Sequence, residues 1–546
     1  MSSNTKKSII AGALVSSAGI FFSKLIGLLY SIPFNDILGS SVNVLYYGMT
    51  QTWYMYLLSV CQAGFPFAIA SLVARYVSKG DYETSLYVKK ISSRLMISLG
   101  FVMMLLLIIF STPIAEMMIS SEGEGNVTDF RWALVASSFA LFFVPILSSL
   151  RGYYQGLKEM EIYSFSQVLE QLANATFVLV ASSVAVYLFC KDHLWAVYFG
   201  VFSTSVAAIT ALLHLKLYDR KRMVQIRELA KKQEMKSSVS AKIIIKELLI
   251  VSIPFMLVAL MGYSDSIINT FFLSKGLEAH KYSAHEVTVI ASVITYSLVK
   301  LSSIPMVLGP GFSSAIIPHI SSAMAENNTK TVKKNICECI DLVLYIAIPV
   351  AFCLFVFAEP LIVTLYPTKV AADIPLAADI VRWFSFVALL NTILPVINSI
   401  LIATNMRRTS VRNIFIQTII KFSLSFLSLK YFGYPGLAVS SMIALGTNVV
   451  LSIYEMTKVL HINWKYTFHK LIVIAAGCFV IWGVAQIMFM LGFDSEYEAG
   501  RMMALIQLLV AGGISALAYF IFTYIFQLPQ VLLKLDFNKI LAKIKR

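Results

Sequence analysis

The stretch YDRKRMVQIRELAKKQEMKSS, residues 218–238, carries the densest positive charge in this 546-residue sequence. It lies inside a segment, 216–246, that holds ten Lys and Arg residues. Long apolar stretches flank the segment, and we count six before it and eight after it. A basic segment in such a setting predicts a cytoplasmic connection between two groups of membrane spans.

Lysine and arginine alternate between abundant and scarce in the segments that separate the apolar stretches. Segments predicted to share a side with the N-terminus hold 32 of the 44 basic residues, and the opposite segments hold 7. Because basic residues are retained on the cytoplasmic side, both termini are predicted to be cytoplasmic and the number of spans to be even. The other 5 lie within apolar stretches, where charge is costly and usually functional.

The composition indicates the same class. Hydrophobic residues make up 58% of the chain and charged residues 13%, and the mean hydropathy is +0.78, unlike a soluble domain. The net charge of +15 is better explained by loops that face anionic lipid than by nucleic acid. We predict an all-α integral membrane protein with fourteen transmembrane helices, at residues 9–34, 42–74, 91–115, 131–150, 162–189, 194–215, 247–273, 286–318, 336–358, 376–403, 412–429, 435–457, 468–492 and 502–528.

The position of the basic segment suggests the domain organisation. We predict an N-terminal six-helix bundle over 1–215 and a second bundle over 247–458, arranged around a central cavity. The linker 216–246 is either partly helical along the membrane surface or a solvated connector. Residues 459–546 supply a final helix pair and a basic cytoplasmic tail.

Motifs of soluble enzymes are missing from the sequence. It contains no P-loop, no HExxH and no GxSxG. Cys337 and Cys339 have no second cysteine pair, so neither a zinc site nor a disulfide framework is indicated. We therefore predict no catalytic residues, no metal site and no cofactor.

A weak internal echo links the fifth and eleventh predicted spans. Each follows a short basic turn and carries an early glutamine, Gln167 or Gln417. A charged residue follows, Glu170 after three positions and Lys421 after four. Equivalent positions in two repeats would place both charges in one central cleft.

The eighth predicted span is rich in proline and glycine. Its SSIPMVLGPGFSSAIIP stretch contains Pro305, Gly309, Pro310 and Gly311. Since proline removes a backbone hydrogen bond from a helix, we predict a functional bend there. A static kink that only shapes packing is the alternative.

Three lysines lie deep in predicted spans: Lys24, Lys300 and Lys421. A lysine at the centre of a membrane helix costs roughly 2.5–3.5 kcal/mol on insertion scales, so each is expected to meet an acid or a water-filled cavity. A phosphate or pyrophosphate suits the compact ammonium with its three donors. Arg94 and Arg382 lie nearer the span ends, where long side chains reach the headgroup region.

Two acids lie in predicted spans, Glu170 and Asp265. One reading is that they form neutralised pairs with the deep lysines and only orient helices. The other is a binding cavity in which the lysines meet an anionic group. In that reading Asp265 and Glu170 would take a cation or proton, or hold the lysines while the cavity is empty.

Four stretches resemble a known family. RGYYQGLKEM with SQVLEQ (151–171), FFSKLIGLLYSIPFNDILG (21–39), AGFPFAIASLVARY (63–76) and YFGYPGLAVSSMIALGTN (431–448) are similar to Gram-positive flippases of the YtgP and SpoVB kind. These belong to the multidrug/oligosaccharidyl-lipid/polysaccharide exporter superfamily. Lipid II flippases of the MurJ type carry a basic residue after Ser in span 1 and another five residues before a proline in span 8. Lys24 after Ser23, and Lys300 before Pro305, match these two positions.

The resemblance implies a bacterial plasma-membrane flippase that works by alternating access. An undecaprenyl-pyrophosphate-linked saccharide, lipid II, would enter a cavity with its pyrophosphate near Lys24 and Lys300, while its tail stays in the bilayer. The cell-wall synthesis machinery is an implied partner. Coupling to an ion gradient and to the membrane potential both stay open.

Two other transport functions and one enzymatic function compete with this interpretation. A flippase for another undecaprenyl-linked oligosaccharide, such as a capsule or wall polymer unit, would use the same fold and phosphate chemistry. A cation-coupled multidrug exporter would favour an acidic cavity, which the deep lysines oppose. A membrane glycosyltransferase would need large loops with catalytic acids, whereas the longest predicted loop here is basic.

Overall fold

The computed structural model describes residues 23, 25–62, 64–119, 124–233, 239–303, 305, 320, 323–324, 326, 328–366, 370–494 and 500–532. These residues form helices joined by turns, with no strand among them, which confirms the predicted all-helical class for this part of the chain. The chain divides into two compact units. One contains Met1–Lys275 and Ser283–Tyr296, and the other contains Gly276–Tyr282 and Ser297–Arg546.

The described part of the first unit contains eight helices, α1 to α8, and parts of two more. They are α1 (Leu25–Leu38), α2 (Ser41–Gln62), α3 (Phe65–Ser78), α4 (Tyr82–Met118), α5 (Val127–Gly156), α6 (Met160–Ser183, then a π-helical turn Val184–Leu188), α7 (Leu194–Lys232), α8 (Ala241–Gly262), most of α9 (Ser264–Ala279) and the first part of α10 (Ala284–Ser303, with a π-helical turn at Val293–Ser297).

The second unit contains the rest of the described helices. They are α11 (Thr329–Val356), the short α12 (Ala358–Leu365), α13 (Ile374–Ala403), α14 (Arg407–Leu460), α15 (Lys465–Met490), α16 (Arg501–Ile525) and the short α17 (Leu528–Leu532). Buried apolar side chains of α11, α13 and the end of α14 form one core cluster, and those of α11, α15 and α16 form another.

Eleven helices in the described part of the chain are long and apolar enough to cross a membrane. Predicted spans 1 and 7 fall outside this set, on the shorter helix Leu25–Leu38 and on α8 and α9. The predicted eleventh and twelfth spans lie in one helix, α14. The count of fourteen, the cytoplasmic termini and the two-bundle division stay predictions, because residues 1–22 and 533–546 lie outside the described residues.

The 54-residue α14 changes direction at Gly433. At 1.5 Å per residue a straight helix of this length would measure about 80 Å, against about 30 Å of hydrocarbon. Gly433 has φ 64° and ψ −151°, a conformation that other residues rarely adopt. The break therefore separates two membrane-length halves, near the boundary between the predicted spans 412–429 and 435–457.

Helix α5 packs closely against its neighbours because small residues bring the backbones together. A Cβ atom on Gly152 would lie 2.7 Å from the carbonyl oxygen of Pro66 in α3, and one on Gly156 would lie 2.7 Å from that of Ala70. A Cβ on Gly100 of α4 would lie 2.8 Å from the carbonyl oxygen of Leu141. The two glycines of GYYQG, in the stretch 151–171 that resembles the family, thus allow close helix packing.

Helix α7 continues well past the predicted end of its span at residue 215, through the basic stretch to Lys232. Neither Pro nor Gly interrupts residues 216–232, and ion pairs hold the extension to other helices of the unit. Arg222 Nε lies 2.7 Å from Glu159 Oε1, and Asp219 accepts hydrogen bonds from Lys89 and Tyr154. The first half of the predicted linker 216–246 is therefore helical.

Candidate functional site

Lys421, one of the three deep lysines, is fully buried in the second unit. It lies in the first half of α14, and its ammonium donates hydrogen bonds to the second half of the same helix. The acceptors are Ser441 Oγ at 2.6 Å, Ser440 Oγ at 2.9 Å and the carbonyl oxygen of Leu437 at 3.3 Å. A charged donor thus bridges the two halves that meet at Gly433.

A row of polar side chains continues from Lys421 along the same face of α14. Gln417 Oε1 accepts a hydrogen bond from Asn448 Nδ2 at 2.6 Å, and Asn413 Nδ2 donates to Ser452 Oγ at 3.0 Å. Ser452 in turn donates to Asn448 Oδ1 at 3.1 Å. We call the set Asn413, Gln417, Lys421, Ser440, Ser441, Asn448 and Ser452 the α14 polar row. Our sequence reasoning noted two of its members, although a polar residue at every fourth position from 413 to 425 signals the face.

Glu170 is bound to an arginine. Arg151 Nη1 lies 2.7 Å from Glu170 Oε2, and Arg151 Nε donates to Ser166 Oγ at 2.8 Å. The two charged side chains are 9% and 15% exposed. Sequence reasoning placed Arg151 in the turn after the fourth span, whereas it lies inside α5, one turn before its end. Glu170 therefore forms a charge pair, with Arg151 as its partner.

Asp265 is buried in the first turn of α9. Its Oδ2 accepts a hydrogen bond from Asn269 Nδ2 at 3.3 Å, one helical turn further on. Only Tyr263 separates the end of α8 from the start of α9.

Lys300 lies near the end of the described part of α10 and is partly buried. Three residues before it the helix leaves a π-helical turn, Val293–Ser297, and π-helical turns occur frequently at functional sites. The turn lies where α10 approaches α2, because a Cβ on Gly48 would lie 2.9 Å from the carbonyl carbon of Thr295. An irregular helix thus precedes this lysine.

The remaining predicted site residues are only partly described. Pro305 is helical and buried. Lys24, Gly309, Pro310 and Gly311 lie outside the described residues, so the hinge and the pyrophosphate site at Lys24 stay predictions. Glu170 and Asp265 belong to the first unit, and Lys300 and Lys421 to the second.

Metal-binding side chains do not cluster in the part of the chain that the structure describes. No group of three or more His, Cys, Asp or Glu residues there is placed to hold a metal ion. The prediction of no metal site concerns the whole chain and stays a prediction.

Comparison with known proteins identifies the family. The family model described as "Polysaccharide biosynthesis protein" matches residues 9–324, more than half of the chain. The chain belongs to this family. The MatE model matches residues 266–427.

Two curated relatives come from Bacillus subtilis (strain 168). "Lipid II flippase MurJ" is 26% identical over 517 residues, which cover 94% of this chain and 94% of the relative. "Stage V sporulation protein B" is 23% identical and covers 84% of this chain and 86% of the relative.

Solved structures share the fold. A structure described as lipid II flippase MurJ in an inward closed conformation has a TM-score of 0.64 at 13% identity, covering 94% of this chain and 98% of that one. An inward-facing multidrug resistance MATE family transporter has a TM-score of 0.62 at 16% identity, covering 82% of this chain and 98% of that one.

These findings confirm the predicted resemblance. The protein is a multi-pass membrane transporter of the multidrug/oligosaccharidyl-lipid/polysaccharide exporter superfamily, located in the bacterial plasma membrane. Its relatives transport rather than catalyse, in agreement with the predicted absence of enzymatic activity.

Proposed function

We propose that this transporter flips lipid II, the undecaprenyl-pyrophosphate-linked peptidoglycan precursor, from the inner to the outer leaflet. The observation that carries the proposal is the match to a lipid II flippase along 94% of both chains. A curated relative that matches over nearly its whole length supports the same transport reaction better than a match to one domain would.

Lys300 is the described residue best suited to the cargo's pyrophosphate. It is a partly buried cation on α10, which leaves a π-helical turn three residues before it. A lysine ammonium is a compact charge that binds phosphate oxygens through three donors. We propose that Lys24 contributes a second ammonium and that the proline- and glycine-rich continuation of α10 bends as the transporter alternates.

Lys421 has a different environment from Lys300. Its ammonium is fully buried and already donates to three oxygens, so a phosphate would have to displace them. We propose that Lys300 and Lys24 contact the cargo first and that Lys421 holds the two halves of α14 together. Asp265 remains the proposed site for a coupling cation or proton, and Glu170 acts as the partner of Arg151.

Complementation tests the cargo. A bacterium depleted of its own lipid II flippase receives the wild-type protein, and a membrane-impermeant enzyme that cleaves lipid II measures the amount at the outer surface. We expect rescue of growth and restored cleavage. A well-expressed wild-type protein that restores neither would disprove lipid II as the cargo.

Variants in the same strain test the cationic site. Lys300→Ala and Lys24→Ala should abolish rescue, and Lys300→Arg should retain it because the charge is kept. Lys334→Ala is the matched control. This lysine is 71% exposed, and its ion pair with Glu338 in the same helix is long, at 3.8 Å. Rescue by both alanine variants would remove the proposed role of these lysines while leaving the cargo intact.

Two other cargoes are supported by particular observations. The matching family model describes polysaccharide biosynthesis, which fits a different undecaprenyl-linked oligosaccharide. The MatE match and the MATE structures fit a cation-coupled multidrug exporter. In the complementation strain, failure to restore surface lipid II followed by restored polymer export, or by increased drug resistance, would identify one or the other.

A further inference from the structure

An amphipathic pocket of about 500 Å³ lies within the second unit. The end of α11, the short α12, the first half of α13 and the end of α15 line it. This volume is typical of sites for small ligands. Because the basic residues Lys330, Lys333 and Lys334 lie in the first turns of α11, its far end is predicted to be at the outer face of the membrane. The pocket therefore opens at the outer-leaflet side in the predicted topology.

The wall formed by α12 is held in place by contacts with the last two long helices. Arg501, the first residue of α16, donates from Nε to the carbonyl oxygen of Thr364 at 2.7 Å and from Nη2 to that of Leu365 at 3.4 Å. A cation at the C-terminal carbonyls of a helix is favourable. The rings of Phe357 and Phe489 meet edge to face with centroids 5.7 Å apart. The pocket is thus bounded by fixed helices.

Both signs of charge line this pocket. Arg382 Nη2 lies 3.4 Å from Glu359 Oε2, and the two side chains are 36% and 49% exposed. Such a long and exposed ion pair is weak, so either partner is available to another ion. Asp494 adds a second carboxylate, and the half-exposed Trp482 adds an aromatic ring. Arg382, which from sequence was expected to reach the headgroup region, lies in the lining.

We propose that this pocket binds the headgroup of a phospholipid that carries both a phosphate and an ammonium, such as phosphatidylethanolamine. The guanidinium of Arg382 pairs with the phosphate. The carboxylates of Glu359 and Asp494 and the ring of Trp482 bind the ammonium. Apolar wall residues, among them Phe355, contact the glycerol and the start of the acyl chains.

The charge balance of the pocket argues for this ligand over two others. Two carboxylates and one guanidinium leave an excess negative charge, which repels a pyrophosphate-linked saccharide and the anionic headgroup of phosphatidylglycerol. A zwitterionic headgroup adds no net charge, and its ammonium is attracted to the two carboxylates while its phosphate is attracted to the guanidinium. The site is separate from the proposed cargo contact at Lys300, which is not among its described lining residues.

Native mass spectrometry of the purified full-length protein tests the proposal. The protein is titrated with short-chain phosphatidylethanolamine, short-chain phosphatidylglycerol or free phosphoethanolamine. We expect a single saturable adduct with phosphatidylethanolamine that is about fivefold tighter than with phosphatidylglycerol, as partly exposed charge contacts allow. Equal binding of the two lipids, or tighter binding of phosphatidylglycerol, would overturn the assignment. Equal binding of free phosphoethanolamine would show that a headgroup alone, without a lipid, is recognised.

Two independent variants locate the site. Glu359→Gln and Trp482→Leu should each abolish the preference for phosphatidylethanolamine. The matched control is Glu455→Gln, which removes a carboxylate that pairs with Arg412 at 3.0 Å elsewhere in the unit and should keep the preference. A preference that survives in both pocket variants, whose unfolding matches wild type, would disprove binding at this pocket.

Discussion

Replacing Glu170 by glutamine removes the negative charge beside Arg151 and keeps the size of the side chain. The two groups are 2.7 Å apart and 9% and 15% exposed, so the arginine charge would stay buried without its carboxylate. At an effective dielectric constant of about 20, two unit charges at this 2.7 Å separation interact by about 6 kcal/mol. Desolvation opposes much of that gain, and breaking a buried pair from one side costs about 3–5 kcal/mol.

We expect Glu170→Gln to lower the free energy of unfolding by about 3 kcal/mol, the lower end of that range because the pair is slightly exposed. Removing both charges relieves the desolvation cost. The double variant Arg151→Met with Glu170→Met is therefore expected to be more stable than Glu170→Gln alone. An exposed pair in the same unit gives the control: Glu247, 35% exposed, pairs with Arg75, 48% exposed. Glu247→Gln should cost less than about 1 kcal/mol.

Unfolding can be followed in mixed micelles through the reactivity of a thiol. Cys61 is fully buried in the first unit, so in a variant with Cys61 as its single cysteine, labelling reports the opening of that unit. The free energy is obtained from the fraction labelled at increasing denaturing detergent. If Glu170→Gln unfolds within 1 kcal/mol of Glu247→Gln, or if the double variant is the least stable, the pair does not stabilise the fold as argued.

Three further predictions concern packing and the α14 polar row. Gly152→Ala should destabilise the first unit by about 1–3 kcal/mol in the thiol assay, because its Cβ meets the backbone of α3, whereas Gly262→Ala, which meets nothing within 4 Å, should not. Lys421→Met should be about 2 kcal/mol more stable than Lys421→Ala in micelle unfolding, because methionine fills the space. An equal loss of stability in both variants would mean that the hydrogen bonds of the ammonium, and not the filled volume, stabilise the fold. Gly433→Ala should cost about 1–3 kcal/mol and reduce folded yield, and an unchanged yield would contradict the strained break.

The membrane class could be predicted from the sequence because it rests on sums over many residues. The bias of 32 basic residues against 7 is insensitive to the error of any one boundary, and so is the apolar content. The end of α7 depended on local detail instead. The sequence turns from apolar to polar after residue 215, which ended the predicted span. The helix continues to Lys232 because no Pro or Gly interrupts the polar stretch.

Partners of charged residues could not be predicted in the same way. One of the two interpretations paired Glu170 with a deep lysine from another span, but it binds Arg151, which is nineteen residues earlier on a neighbouring helix. The choice depends on the rotation of α5 and α6 about their axes, and a rotation of one residue moves a side chain by about 100°. Sequence spacing within one helix does not determine that rotation.

Glu170 and Lys421, the two charged residues of the internal echo, are stabilised within the protein in different ways. Glu170 pairs with a charge from another helix, and the ammonium of Lys421 donates to three oxygens on the second half of its own helix. The first contact joins α6 to α5, and the second joins the two halves of α14 across the break at Gly433. A buried ammonium that already donates to three oxygens holds its helix together, which is why a role for Lys421 away from direct contact with the cargo agrees with its complete burial.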